Sequence, residues 1–287
     1  MLNSATNDSL PPQSDMNDPN PTQPHADGIA PAAHAPEGSP KAIAMSQAAR
    51  RHVMPFAVWM ILLFAVQVFN LATDPDNEHA LNLISFAWAY AWRAGLGVIA
   101  LAIWRPWRHY AAPVRRNILP AIAVGGAVFV LWIGPETGLM QRLAPGLSTL
   151  YQKWLVLPFG ELREPLTIQP YAPATCGWPL TLVRLGGSAL VIAVIEEFFW
   201  RGFLYRWIQN LDFLDIDPAK VHWLAFLGVS AAFAALHIEV AAAFITGLAY
   251  GWLYIRTRDI WAPTIAHITT NLLLGVYVLA TGHHHFW

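Results

Sequence analysis

Seven apolar stretches, each close to the length that crosses a bilayer, fill this chain from residue 53 almost to its end: 53–72, 80–104, 118–134, 179–206, 221–238, 240–255 and 260–280. Hydrocarbon offers no partner to backbone N–H and C=O groups, so an apolar run of about 20 residues crosses it as a helix. Strand-type alternation is not sustained anywhere, which argues against an outer-membrane barrel. The expected fold class is therefore all-α, a polytopic membrane helical bundle with about seven transmembrane helices. Composition agrees. Charged residues make up 12% of the chain, about half the share usual in soluble domains. The net charge of −1 gives no basic signal for nucleic acid. A lone cysteine, Cys176, rules out an intrachain disulfide, and the 14 tryptophans suit a protein anchored at two membrane interfaces.

Residues 1–50 are a different material, rich in Pro, Asn, Asp, Ala and Ser. Such a segment cannot bury enough apolar surface to offset its ordering entropy, and we expect a disordered N-terminal tail ahead of an integral membrane domain, 51–287. With no apolar region before residue 53, the first span is expected to be an uncleaved anchor. Basic residues set the orientation. Arg50 and Arg51 precede the first span, "RPWRHYAAPVRR" (105–116) separates the second and third, and "RTRD" (256–259) the sixth and seventh. The positive-inside rule makes these cytoplasmic, with the N-terminus inside and segment 135–178 outside; the expected location is a bacterial inner membrane. Loop 207–220 breaks the pattern with Asp212, Asp215 and Asp217 against Lys220.

Ionisable side chains in apolar spans need a reason to be there. Glu196 and Glu197 are adjacent in "LVIAVIEEFFWRGFLYRW" and point about 100° apart on a helix. Arg201 follows Glu197 by four residues, the favoured order for a helical ion pair. Glu196 has no such neighbour. An unpaired carboxylate in a low-dielectric site holds its proton more tightly and suits general acid–base work. Phe233 and His237 share a face at the end of span five. A lone histidine there is as readily a hydrogen-bonded core residue as a catalyst. His267 and Asn271 share a face of span seven and together could donate to a developing oxyanion, or serve as interhelical hydrogen-bonding groups. Arg93 and Arg184 suit snorkelling or carbonyl pairing, with binding of a substrate carboxylate as the alternative. The "HHH" at 283–285 is a metal ligand set or a tag.

Taken together, E-E-x-x-x-R, F-x-x-x-H and H-x-x-x-N occur in order on three apolar helices. This pattern, with "GLAYGWLYIRTRDIWAPTIAHITTN", resembles the CPBP (Abi) family of CAAX-processing and bacteriocin-processing intramembrane proteases, related to the Ras-converting endopeptidases, over roughly 179–280. More distantly, it is similar to the CAAX prenyl protease-related members found with exosortase sorting systems. The resemblance implies that Glu196 and His237 activate a water, that His267 and Asn271 hold the oxyanion, and that Glu197, Arg201 and Phe233 support them. It also implies a membrane-associated protein or peptide as substrate. The competing classes are an ion-coupled transporter and a catalytically silent membrane scaffold or immunity factor. The family is often described as metalloproteases, and Glu196, His237 and His267 would be the ligands of a zinc ion. The absence of H-E-x-x-H and the presence of Asn271 favour a site with no metal or other cofactor. One tension remains in the span assignment. His237 falls near the outer end of span five, whereas Glu196 is central in span four and His267 lies in the cytoplasmic half of span seven. Tilted spans, a span five that starts below the membrane, or a turn at 238–240 buried within the protein would reconcile these depths.

Overall fold

The computed structural model describes residues 39–73, 80–162 and 169–287. Nine helices of six residues or more are described: α1 (Pro40–Thr73), α2 (Ala80–Trp104), α3 (Arg115–Ile133), α4 (Gly138–Leu143), α5 (Pro145–Trp154), α6 (Pro173–Trp207), α7 (Trp223–Ala234), α8 (Val240–Thr257) and α9 (Trp261–Thr281). No strand occurs among the described residues. The chain is all-α, as its apolar runs require. Five helical runs are long and apolar enough to cross a membrane: Pro40–Val68, Phe86–His109, Arg115–Glu136, Pro173–Trp207 and Trp261–Thr281. All seven expected spans are helical, but a count of seven crossings is not reached. The 12-residue α7 is about 18 Å long and falls short of the hydrocarbon thickness, and α8 is not among the qualifying runs.

The tail assigned to residues 1–50 overlaps the first described helix. Residues 1–38 lie outside the described residues, but 40–50 form the opening turns of α1. The segment "KAIAMSQAARR" is made largely of good helix formers. Ala48 is buried against Phe203 and Phe213, and Lys41 Nζ reaches Asp212 at 2.8 Å and Asp215 at 3.1 Å. The acidic loop 207–220 thus has cations supplied from distant segments, with Arg258 meeting Asp217 at 3.2 Å.

The spanning helices turn a stripe of large apolar side chains outward. On α2, Trp88, Trp92, Ile99 and Ile103 are exposed, whereas Ala87, Tyr90, Ala94 and Leu101 are buried. The spacing of both sets is the 3.6-residue helical period, and the exposed stripe suits lipid. Glycine sets the closest approach at the centre of the bundle. A Cβ on Gly125 of α3 would run into the Ala266 carbonyl of α9, and one on Gly247 of α8 would lie 2.9 Å from Ser230 Cα of α7. Small residues at these crossings let backbones touch. At the end of the bundle where α9 begins, Asp259 closes the α8–α9 turn. Its Oδ1 accepts from Trp261 N at 3.0 Å, and its Oδ2 from Val114 N and Asn117 Nδ2, each at 3.0 Å.

At the opposite end of the bundle, segment 135–178 contributes the short helices α4 and α5. Ser148 Oγ donates to the Pro135 carbonyl at 2.8 Å. Leu157 N donates to the Ile238 carbonyl at 2.9 Å, and Ala241 N to that of Leu155 at 3.3 Å. The α7–α8 turn therefore has backbone partners from this segment. Glu239 is buried in it, although Leu236 and Ile238 stay exposed. This reconciles the depths of the site residues. α7 ends at Ala234, so His237 sits in a turn past a helix too short to cross, not at the far end of a full span.

Candidate active site

α6 carries the two glutamates, and it is not a uniform α-helix. Residues Ala193–Glu197 are α-helical, but Gly187–Ile192 before them and Phe198–Leu204 after them wind as π-helix. Such wider turns shift the helical phase and often mark functional positions. Here they bracket the glutamate pair.

Glu197 is fully buried. Its Oε1 accepts from Arg201 Nη1 at 2.9 Å, the i,i+4 pair expected from the sequence, and from His267 Nδ1 at 2.9 Å. Arg201 is itself 2% exposed. Its Nη2 donates to the Gly247 carbonyl at 3.3 Å, and its guanidinium lies 4.8 Å from the centre of the Phe233 ring. Glu197 thus joins α6 to α9, while Arg201 joins α6 to α8 and α7. The sequence pairing identified the first partner of Glu197 but not the second.

Glu196 accepts no hydrogen bond among the described residues. The nearest cationic group is His267 Nε2, 3.9 Å from Glu196 Oε2, beyond direct hydrogen-bond reach. Its side chain is 13% exposed and lines a cavity of about 320 Å³. His237, His267, Asn271 and Phe233 line the same cavity, so the structure brings the expected site residues from α6, the α7–α8 turn and α9 to one space.

The partners of the two histidines fix their free nitrogens. His237 Nδ1 lies 2.8 Å from the Phe233 carbonyl. A carbonyl only accepts, so Nδ1 carries a proton and Nε2 keeps the lone pair when the ring is neutral. The ring lies 4.4 Å from that of Phe233 and meets Trp132 edge-on at 5.9 Å. Trp132 is held in turn by Nε1 donating to Thr246 Oγ1 at 2.9 Å. His267 Nδ1 donates to a carboxylate instead. Nδ1 therefore carries a proton there as well, and Nε2 is the nitrogen left toward the cavity. Asn271 Nδ2 gives one hydrogen to the Ser188 carbonyl at 2.8 Å, inside the first π segment, and retains a second.

Tyr250, Thr246 and Trp132 also line the cavity and were not singled out from the sequence. Tyr250 Oη lies 2.6 Å from Thr270 Oγ1, and its ring is 5.3 Å from that of His267. Thr270 Oγ1 donates to the Gly125 carbonyl on α3 at 2.8 Å. A signal for the α8 residues was present: Thr246 and Tyr250 are four apart and share a face.

Residues 178–273 match the family model of type II CAAX prenyl endopeptidases, Rce1-like. The match spans 96 of the 287 residues and is a likeness of this segment to that family. The matched segment contains Glu196, Glu197, Arg201, Phe233, His237, His267 and Asn271. The family is one of membrane proteases, and the long apolar helices make the chain an integral membrane protein. No curated protein and no solved structure matches the chain.

No group of three or more His, Cys, Asp or Glu side chains that could hold a metal ion occurs among the described residues. Nor do the histidines at 283–285 form such a cluster; His285 Nε2 instead lies 2.9 Å from Glu136 Oε2.

Proposed function

We propose that this Rce1-like core is a CAAX-type intramembrane endopeptidase that hydrolyses a peptide bond of a membrane-associated protein or peptide through a glutamate- and histidine-activated water. The observation that carries the reading is the division of labour between adjacent carboxylates. Glu197 is spent on Arg201 and His267, whereas Glu196 faces the cavity without a hydrogen bond.

In this reading a water in the cavity gives a proton to Glu196, with the Nε2 lone pair of His237 as its second acceptor. The water oxygen attacks the substrate carbonyl carbon, and the carbonyl oxygen becomes an oxyanion. In the doubly protonated form of the His267 ring, Nε2–H donates to that oxygen, as does the spare Nδ2–H of Asn271. Such donors strengthen as negative charge develops, which lowers the barrier. The proton held at Glu196 then passes to the departing amine nitrogen as the C–N bond breaks. No step needs a metal. The basic loops support a cytoplasmic N-terminus and the inner membrane of a bacterium as the location.

The test is co-expression with a membrane-anchored peptide ending in a CAAX-type tail, comparing wild type with Glu196→Gln. Wild type cleaves the peptide. Glu196→Gln loses turnover by at least about 10²-fold, with an unchanged unfolding temperature because no hydrogen bond is lost. Cleavage retained by the purified variant overturns the assignment.

A further inference from the structure

The cavity that holds Glu196 and His237 has a second charged feature, on helices that the motifs do not explain. Arg93 of α2 and Arg184 of α6 both line it. Both also line an adjoining cavity of about 220 Å³ whose other walls include Leu63 and Phe86. An arginine in an apolar span normally has an anion or a ring of carbonyls to face. Among the described residues neither arginine meets a carboxylate, and the Nε of each is buried without a hydrogen-bond partner. The two cations also approach one another through a shared neighbour. The Arg93 guanidinium carbon lies 4.9 Å and that of Arg184 4.4 Å from the centre of the Tyr90 ring.

Aromatic rings hold the pair in place. Arg93 stands 4.6 Å from Trp59, and Arg184 stands 4.8 Å from Tyr171 and 5.9 Å from the C-terminal residue Trp287. Ring contacts orient a guanidinium plane but leave its N–H edges unspent. Snorkelling does not account for the arrangement, since both side chains contribute to the cavity wall. Two preoriented guanidinium groups that meet no carboxylate among the described residues, beside a hydrolytic site, suit an anion brought in by a guest.

We infer that Arg93 and Arg184 form a carboxylate-binding subsite that receives the free C-terminal carboxylate of the peptide substrate. The inference rests on the endopeptidase reading for its choice of anion, because a peptide entering this cavity brings one planar oxyanion with it, at its end. Capture of that terminus positions a bond near the end of the chain against the water beside Glu196. A peptide with a blocked terminus leaves two buried cations facing a neutral amide, so the pair discriminates by terminal charge.

The experiment uses the full-length Glu196→Gln protein in detergent, so that binding is read without turnover. The probes are a prenyl-cysteine tetrapeptide as the free acid and the same peptide as its carboxamide. The free acid is expected to bind about tenfold more tightly, or better. Arg93→Gln and Arg184→Gln should each erode that preference while leaving carboxamide binding unchanged. Arg→Lys at either position should keep charge but lose the planar fork, giving an intermediate preference; it also serves where the Gln variant does not fold. Equal affinity for acid and carboxamide, binding of neither, or an acid preference that survives the double Gln variant overturns the inference. So does loss of phosphatidylglycerol binding in the Gln variants with no acid preference in the parent, which would make the pair a lipid headgroup site. The two readings fail separately. Wild-type protein that cleaves acid and carboxamide equally removes the subsite and keeps the peptidase. Protein that binds the acid selectively and hydrolyses nothing does the reverse.

Discussion

Arg201 is the residue whose removal should cost the fold most per atom lost. It is 2% exposed, and its guanidinium makes three kinds of contact: Nη1 to Glu197 at 2.9 Å, Nη2 to the Gly247 carbonyl at 3.3 Å, and a ring contact with Phe233 at 4.8 Å. Arg201→Met keeps most of the apolar stem and removes all three. Glu197, with no exposed side-chain surface, is then left with His267 as its one side-chain partner among the described residues. Breaking a buried ion pair from one side costs about 3–5 kcal/mol, because the desolvated charge stays behind. For a protein of this size that corresponds to an unfolding midpoint lower by about 10 °C. The assay is thermal unfolding of the detergent-purified proteins beside membrane expression level. The double variant Glu197→Gln/Arg201→Met removes both charges, and its loss should be clearly smaller than the sum of the two single losses. An Arg201→Met protein that expresses and melts like wild type but does not hydrolyse peptide would refute the reasoning and assign Arg201 to the substrate.

The other expectations concern the oxyanion donors, the start of the fold and the metal question. His267→Ala and Asn271→Ala should each lower turnover by about 10²–10³-fold, the usual loss for one oxyanion donor, measured under single-turnover conditions; a change in substrate affinity alone would contradict that role. Deleting residues 1–38 should leave assembly and activity intact, whereas deletion through Ala48 removes the Lys41 ion pairs and the contact with Phe203 and Phe213 and should lower the unfolding temperature; equal behaviour of the two truncations would contradict the packing described. Exhaustive chelation should leave activity unchanged, and stoichiometric zinc with activity lost on chelation and restored by zinc would reverse the metal-free mechanism.

Local chemistry was legible in the sequence, and chemistry between distant segments was not. Glu197 and Arg201 lie four residues apart on one helix, so their pairing follows from helical geometry alone. The second partner of Glu197, His267, is 70 residues away, and no spacing rule reaches that far. Lys41 with Asp212, and Trp132 with Thr246, are of the same kind. The helical class was fixed by the apolar runs, but the length of α7 was not. "FAALHIEV" continues the apolar pattern past Ala234, so hydropathy extends the span four residues beyond the helix. The π turns in α6 leave no mark in composition, and the first of them holds the Ser188 carbonyl that accepts from Asn271, 83 residues away. Arg93 and Arg184 were legible as oddities, and only their shared cavity shows what they have in common.

Why the two glutamates should be adjacent follows from the same geometry. Residues i and i+1 on a helix point about 100° apart, so neighbouring carboxylates are held at one depth while facing different elements. One of them must be compensated, or two charges would repel in a medium that screens them poorly. Glu197 takes that part. By accepting from His267 Nδ1 it also settles which nitrogen of that ring is left for the cavity, so the compensating residue orients a site residue as well. His237 has its Nδ1 engaged too, but by a backbone carbonyl, which carries no charge and leaves Nε2 as an acceptor. Identical side chains thus have different partners at Nδ1: a backbone carbonyl for His237 and the Glu197 carboxylate for His267. A transporter relay would need protons to move on through a chain of such groups. Here both histidines are anchored at Nδ1, with Nε2 as the one nitrogen each can offer to a guest in the cavity, which suits hydrolysis at a fixed point.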